Sequence, residues 1–219
     1  MRSVHAPLAA LVALATFAAS GTTRAQPAGP EDWPCIQVLV PEVAAATLWA
    51  RPLDPVTVQG WREDGELAAL ARRLGTLEAP VDAPAGALGD AEIAAIDAWV
   101  AGTPPAALAR RLDALVAGTV ATANERRARF IDGIRRYTRQ QIAIAGQIEA
   151  SLNELARLGQ GSLAGLPEQR NEAQATLAWH ERLYDQRERA IRALCEQPVV
   201  LEETLFTVVR ELQARLPES

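Results

Sequence analysis

Two long stretches in the second half of the chain carry apolar residues at steps of three and four. The first begins at Thr103-Pro104-Pro105 and predicts a helix of about 50 residues with a heptad-like seam. Its seam residues are Leu108, Leu112, Leu115, Phe130, Ile134, Tyr137, Ile144, Ile148, Leu152 and Leu155. The second stretch, residues 168–196, carries Ala173, Leu177, His180, Tyr184, Ile191 and Leu194 on its inner stripe.

The stretch between these helices, residues 159–167, is rich in glycine and predicts a turn. Pro198 is expected to interrupt the second helix, and a last helix is predicted over 199–215. We therefore expect an all-α fold in which residues 103–219 form a long antiparallel helical hairpin, coiled-coil-like, with a third helix. The glycines within the first helix leave open whether it is kinked, with Gly133 as one candidate position.

Residues 26–102 have a shorter and more broken pattern than the hairpin. They are predicted to begin with a Pro-rich extended arm over 26–40, a short helix starting at Pro41 and a loop from Arg51 to Gly60. A helix from near Asp64 to Leu74, a linker over 76–89 and a helix over 90–102 are predicted to follow. Leu67, Leu70, Ala71 and Leu74 recur at helical spacing and are expected to be buried. Whether this part packs on the hairpin or beside it stays open.

The first 25 residues have the pattern of a secretory signal peptide. A polar start is followed by an apolar run from Pro7 to Ala19, which is too short to cross a bilayer, and then by small residues before Gln26. A buried N-terminal helix is the alternative interpretation. A signal peptide over 1–25 implies export, and with no lipoprotein cysteine after the run we expect a periplasmic protein that begins near Gln26.

The chain contains two cysteines, Cys35 and Cys195. In an oxidising compartment two cysteines usually pair, so we expect one structural disulfide that fastens the Pro-rich arm to the hairpin. The C-x-x-C spacing of redox-active pairs is absent from the sequence. Two thiolates would also need two further soft ligands to hold zinc.

Composition and charge narrow the function classes further. The 22 basic residues are all arginine, and the formal charge of −5 becomes −7 once Arg2 and Arg24 leave with the signal peptide. This acidic balance argues against a nucleic-acid partner. The low aromatic content and the abundance of alanine and leucine favour helices, and after the signal peptide no apolar run is long enough to predict a membrane span.

Residues 126–139 hold six arginines against one acid, which makes them the most distinctive charged segment of the chain. The candidate anion- or partner-binding residues are Arg126, Arg129, Arg135, Arg136 and Arg139. Arg127 falls within the apolar arc of the predicted helix and is expected to meet a buried carboxylate. Glu181, Asp185 and Glu188 on the facing helix are expected to neutralise some of the others, so a solvated structural face and an anion site both stay open.

The residues needed for common catalytic and metal sites are missing from the mature sequence. His180 is its one histidine, it lies on an apolar stripe, and we interpret it as a hydrogen-bonded core or interface residue. Residues 89–100 resemble the last helix of class I cytochromes c. That resemblance would imply haem, but C-x-x-C-H and an axial methionine are absent after residue 25. We therefore predict no catalytic residue, metal or cofactor.

The mature start, Asp32-Trp33-Pro34-Cys35 followed by Gln37, resembles that of uncharacterised exported helical proteins of proteobacteria. The resemblance implies export and brings no activity. The sequence therefore predicts a non-enzymatic periplasmic protein that acts through contact of its hairpin with an envelope protein or with itself. The alternatives are a binding module for a small anionic ligand on the arginine face and, as the least favoured class, a hydrolase that uses His180 or a carboxylate pair.

Overall fold

The computed structural model describes residues 30–78, 84, 86–160 and 167–217. The signal-peptide prediction, part of the 76–89 linker and most of the 159–167 turn lie outside these residues. The helices are α1 (Ala45–Leu48), α2 (Pro55–Gly60), α3 (Gly65–Gly75), α4 (Asp90–Ala101), α5 (Pro105–Gln160) and α6 (Pro167–Gln213). No strand occurs in the described part of the chain, so the all-α prediction is confirmed.

Helices α5 and α6 form the predicted long antiparallel hairpin. The Tyr137 hydroxyl of α5 donates to the Arg187 carbonyl of α6 at 3.1 Å, and the Gln141 Nε2 donates to the Tyr184 carbonyl at 2.9 Å. The α6 partner number falls as the α5 number rises, which is the register of antiparallel helices. The Arg187 guanidinium also lies 3.8 Å from the Tyr137 ring centroid. These two hydrogen bonds and the cation–π contact fix the register in the middle of the hairpin.

Three predictions about helix boundaries were wrong. Helix α6 runs without interruption through Pro198, so the expected third helix over 199–215 is the end of α6. The segment Arg51–Gly60, expected to be a loop, contains α2, whose first residue Pro55 follows the N-cap Asp54. The helix expected from Pro41 is reduced to the four residues of α1.

The main core lies where α1 to α4 cover the end of the hairpin that holds the start of α5 and the end of α6. The predicted apolar face of α3 is buried there, as expected, and it meets Leu112, Leu115, Val116, Leu205, Val208 and Leu212. Two glycines let the backbones approach closely, because a Cβ on Gly75 or Gly118 would lie within 3.0 Å of atoms of the facing helix. The short N-terminal helices therefore pack on the hairpin and not beside it.

The far part of the hairpin has no such cover in the described chain. No residue of α6 before Pro198 is buried, although all of α6 from Pro167 to Gln213 is described. The arm reaches Cys195 and the neighbourhood of Tyr184, so the stretch of α6 beyond both the short helices and the arm is 167–183, about 25 Å of helix at 1.5 Å per residue. Two packed helices alone cannot enclose a seam as fully as the core does, so this part leaves apolar side chains in contact with solvent.

Candidate functional site

In the structure the N-terminal arm extends from residue 30 to Arg51 and includes α1. It lies along α5 and is fastened to it by side chains. Asn124 forms two hydrogen bonds with the backbone of Val43, donating to the carbonyl oxygen and accepting from the N–H, both at 2.9 Å. Asp113 accepts from the Trp49 indole at 2.8 Å and from the Arg51 guanidinium at 2.9 Å. The arm therefore runs antiparallel to α5, and polar groups of α5 hold its backbone in place.

The beginning of the arm is held by a carboxylate between two arginines. Asp32 accepts from Arg135 Nε at 2.9 Å and from Arg139 at 2.7 Å. The hydrogen bond from Arg135 holds the pKa of the Asp32 carboxyl below its usual range, with Arg139 acting in the same direction and partial burial opposing both. Asp32 therefore occupies the position at which an external anion would bind this pair of arginines.

A disulfide joins Cys35 of the arm to Cys195 of α6, with the Cα atoms 5.6 Å apart. The Trp33 indole donates to the Gln37 carbonyl at 2.8 Å, so a hydrogen bond joins the residues on either side of Cys35 in sequence. The predicted pairing and the predicted fastening of the arm are both present in the structure. The bond links the arm to α6, whereas the polar contacts link it to α5, so the arm is attached to both helices of the hairpin.

The structure divides the candidate arginines into two groups. Arg126, Arg135 and Arg139 are in ion pairs within the chain, Arg126 with Glu78 and the other two with Asp32. Arg129 and Arg136 are exposed and form no ion pair with any described residue. The arginine face is therefore mainly an internal fastening for the arm, and what remains free for a partner is small.

Two expectations about the partners of these arginines were wrong. Glu181, Asp185 and Glu188 of the facing helix do not neutralise them, because the partners come from the arm and from the segment after α3. Arg127 is buried as expected, but Glu202, with which it pairs, is half-exposed. A second bond from Arg127 goes to the Val40 carbonyl at 2.8 Å, which adds another attachment point for the arm.

The role of Asp32 was not predicted, although the predicted disulfide and the predicted hairpin together locate this residue. The disulfide places Cys35 beside Cys195, and the antiparallel register places Cys195 beside the arginine stretch of α5. An acid three residues before Cys35 then falls within reach of Arg135. The roles of Asn124 and Asp113 gave no comparable signal, because they bind arm residues far away in sequence.

An uncharged belt crosses both helices in the uncovered part of the hairpin. We define the uncharged belt as residues 140–148 of α5 and 173–180 of α6, none of which is an acid, an arginine or a lysine. The two stretches lie side by side, because Gln141 bonds to Tyr184 at one end and Ala150 and Ser151 face Ala173 and Thr176 at the other.

The exposed surface of the uncharged belt combines apolar, small and uncharged polar residues. Ile142 is 52% exposed and Trp179 is 54% exposed. The other exposed residues of the belt are either small, namely Ala143, Ala145, Gly146 and Ala175, or polar and uncharged, namely Gln140, Gln147, Gln174 and Thr176. By contrast, the flanking stretches 125–139 and 181–192 carry eight and seven charged residues. Depletion of charge around exposed aromatic and aliphatic residues is typical of the centre of a protein interface.

His180 lies at the edge of the uncharged belt and is half-buried. Its ring meets that of Trp179 edge-on at 5.3 Å, and its Nδ1 is buried without a hydrogen-bond partner among the described residues. The predicted hydrogen bond is therefore absent at Nδ1. In the described chain, no group of three or more histidine, cysteine, aspartate or glutamate side chains is arranged to hold a metal ion.

Comparisons of the chain with protein-family models, with curated proteins and with solved structures gave no significant match. The described helices include none with both the length and the hydropathy that a membrane crossing requires. Two surface features of the described chain can be related to function: the uncharged belt, and the exposed arginines Arg129 and Arg136, which form no ion pair with a described residue.

Proposed function

We propose that this chain is a non-enzymatic periplasmic protein that works by protein–protein contact, and that the uncharged belt of the hairpin is its docking surface. The observation that carries the proposal is a surface of the two-helix hairpin that has no charged residue and exposes about half of Ile142 and of Trp179. A soluble protein gains nothing in its own stability from an exposed tryptophan at this position. Large exposed aromatic residues with few charges nearby supply much of the energy of protein interfaces.

The remaining parts of the structure support this proposal. The arm, the disulfide and α1 to α4 stabilise one end of the hairpin and leave the other end projecting. A rigid base with an uncovered projection suits an adaptor or scaffold for an envelope protein. The Cys35–Cys195 bond agrees with an oxidising compartment, which supports the periplasmic location.

Chemical cross-linking in intact cells, followed by mass spectrometry of the captured proteins, tests the proposal. We expect one dominant envelope partner, and we expect its capture to be lost in the variants Ile142→Glu and Trp179→Glu. A charge placed in the centre of a desolvated interface is costly, so either variant should weaken binding at least about tenfold.

The matched control is Phe206→Glu, because Phe206 is exposed to a similar degree, 50%, but lies on α6 outside the uncharged belt. This variant should capture the same partner as the wild-type protein. Equal capture by all three variants, or capture of nothing by the wild-type protein, would refute the belt as the docking surface.

The second candidate function is binding of a small anion by Arg129 and Arg136, which are exposed and outside every ion pair of the described chain. They are seven residues apart on α5, two turns along the same face of the helix. A rise in melting temperature with phosphate or sulfate that disappears in Arg129→Gln/Arg136→Gln would favour this function. Arg72→Gln/Arg110→Gln provides the control for the loss of two charges, because both residues are exposed and outside every ion pair of the described chain.

A further inference from the structure

The arm contains a short segment with exposed branched aliphatic residues at every second position. Residues 36–40, Ile-Gln-Val-Leu-Val, lie outside the helices and begin with a bend at Ile36 and Gln37. Ile36 is 97% exposed, Val38 66% and Val40 47%; Gln37 between the first two is exposed as well, and Leu39 is half-buried. Branched aliphatic residues that point outward at every second position are typical of a β-strand and not of a surface loop.

The backbone of this segment is also largely unpaired. Two of its carbonyls are occupied, that of Gln37 by the Trp33 indole and that of Val40 by Arg127. The N–H groups of residues 36–40 and the carbonyls of Ile36, Val38 and Leu39 find no hydrogen-bond partner among the described residues. A row of free donors and acceptors next to exposed aliphatic side chains is a template for strand pairing.

Both ends of the segment are fixed to the hairpin. The disulfide of Cys35 holds the beginning, and the bonds of Val40 to Arg127 and of Val43 to Asn124 hold the end. A segment that is already held in place loses less conformational entropy when it binds than a free tail does. Pro34 and Pro41 have no N–H group, so they set the limits of any ladder that this segment forms.

We propose that residues 36–40 are a donated β-strand, which adds to the exposed edge of a β-sheet in a partner protein. The partner must bring the sheet, because the described part of this chain has no strand to extend. Pairing with a second copy of the segment would give only an isolated two-stranded ribbon, which is marginally stable in water. An existing sheet edge with apolar pockets satisfies both the free backbone groups and the alternate side chains.

This inference rests on the proposal that the protein works by contact, but it does not depend on the uncharged belt. The test uses the mature protein in the cells that produce it, with a photoreactive benzoylphenylalanine in place of Ile36. Cross-links are mapped by mass spectrometry to the peptide of the captured protein. The same experiment is repeated in the backgrounds Val38→Pro and Val38→Thr.

We expect one dominant partner, with the cross-linked peptide in an edge strand of its sheet. Val38→Pro removes a ladder donor and should lower capture about tenfold, whereas Val38→Thr keeps the N–H and the β-branch and should stay within about twofold of the parent. Unchanged circular dichroism and melting temperature in both variants establish that the helices are intact.

Four results would overturn the inference: cross-links to a helix or loop of the partner, cross-links only to a second copy, equal capture in the two Val38 backgrounds, or no cross-linked product. Trp179→Glu separates this inference from the belt proposal. If capture by the wild-type protein depends on Trp179 but no arm cross-link forms, only the donated-strand inference fails. If the arm cross-link forms but capture does not depend on Trp179, only the belt proposal fails.

Discussion

Gly118 of α5 is the position where one additional carbon atom would disturb the core most directly. A Cβ there would lie 2.7 Å from Trp61 Cδ2 and 2.9 Å from the Ala71 Cβ, inside normal contact distance. We expect Gly118→Ala to lower the free energy of unfolding by about 1–3 kcal/mol, because an indole ring and a helix backbone must both move. Urea unfolding followed by circular dichroism measures the change.

Gly133 on the same helix is the matched control, since a Cβ there would meet nothing within 4 Å. Gly133→Ala should raise the free energy of unfolding by about 0.5–1 kcal/mol, because alanine is the better helix former. If Gly118→Ala were also stabilising, the close packing of α2 and α3 on α5 would be contradicted.

Asp32 makes the fastening of the arm dependent on pH. Its folded pKa is lowered below the ordinary value of 3.8, first by the hydrogen bond from Arg135. The stabilisation by the carboxylate is therefore fully present above that ordinary value and is lost as the pH falls through the folded pKa. We expect Asp32→Asn to unfold at a lower urea concentration than the wild-type protein at pH 7, and the difference to shrink as the pH approaches 3.

Glu31→Gln is the control for this titration, because Glu31 is the adjacent carboxylate and is exposed. It forms no ion pair with any described residue. Its effect on urea unfolding at pH 7 should be small. A difference between Asp32→Asn and wild type that stays constant down to pH 3 would show that the carboxylate does not contribute through its charge.

At the scale of elements, the disulfide stabilises the attachment of the arm, which has few apolar contacts of its own. It closes a loop with a sequence separation of 160 residues. In the chain-entropy model a loop of this length contributes up to about 5 kcal/mol. We expect Cys35→Ser/Cys195→Ser to lower the urea midpoint substantially while the helical circular dichroism at 25 °C is retained, since α3, α5 and α6 form their core without it. A midpoint equal to that of wild type would show that the polar contacts alone hold the arm.

The elements that were predictable from sequence are those in which local signals agree with tertiary packing. In α3 the N-cap Asp64, the apolar spacing and the terminal Gly75 all indicate the same helix, and the structure places it at Gly65–Gly75. The length of α5 was predictable because its seam continues over many turns. Apolar periodicity is a strong signal whenever one face of a long helix must be buried.

Pro198 shows where a local rule fails. Proline in a helix interior removes one backbone hydrogen bond, and on its own it indicates the end of a helix. Here Pro198 is buried, and the residues that follow it, including Leu201 and Leu205, belong to the core. Tertiary packing on both sides of the proline outweighs the lost bond, and no window of sequence around it contains that information.

The candidate site was only partly predictable, for a related reason. The arginine stretch was visible in the sequence, but its partners depend on where the arm lies, and the arm is positioned by Asn124 and Asp113 at a separation of more than 60 residues. The uncharged belt was present in the sequence as two stretches without charge. Its significance depends on both stretches lying side by side in the part of the hairpin that the short helices leave uncovered.

At the scale of the whole molecule, the two ends of the hairpin are stabilised by different amounts of packing. One end shares a core with α1 to α4 and is fastened by the arm, and the other end is held by a seam between two helices alone. Local opening costs less free energy where fewer apolar side chains are buried. A partner that covers the uncovered end would therefore supply stabilisation that the isolated chain lacks at the place where it binds.

Amide hydrogen exchange measured by mass spectrometry tests this division. Peptides from residues 167–190 should exchange faster than peptides from 198–212, although both belong to the same continuous helix α6. In α5 the stretch 145–158 should likewise exchange faster than 112–123, because the latter stretch lies in the core. Bound partner should slow exchange in the uncharged belt more than in the core. Uniform protection along α6 would mean that the two-helix seam is as stable as the core, and the uncovered end would then need no partner for its stability.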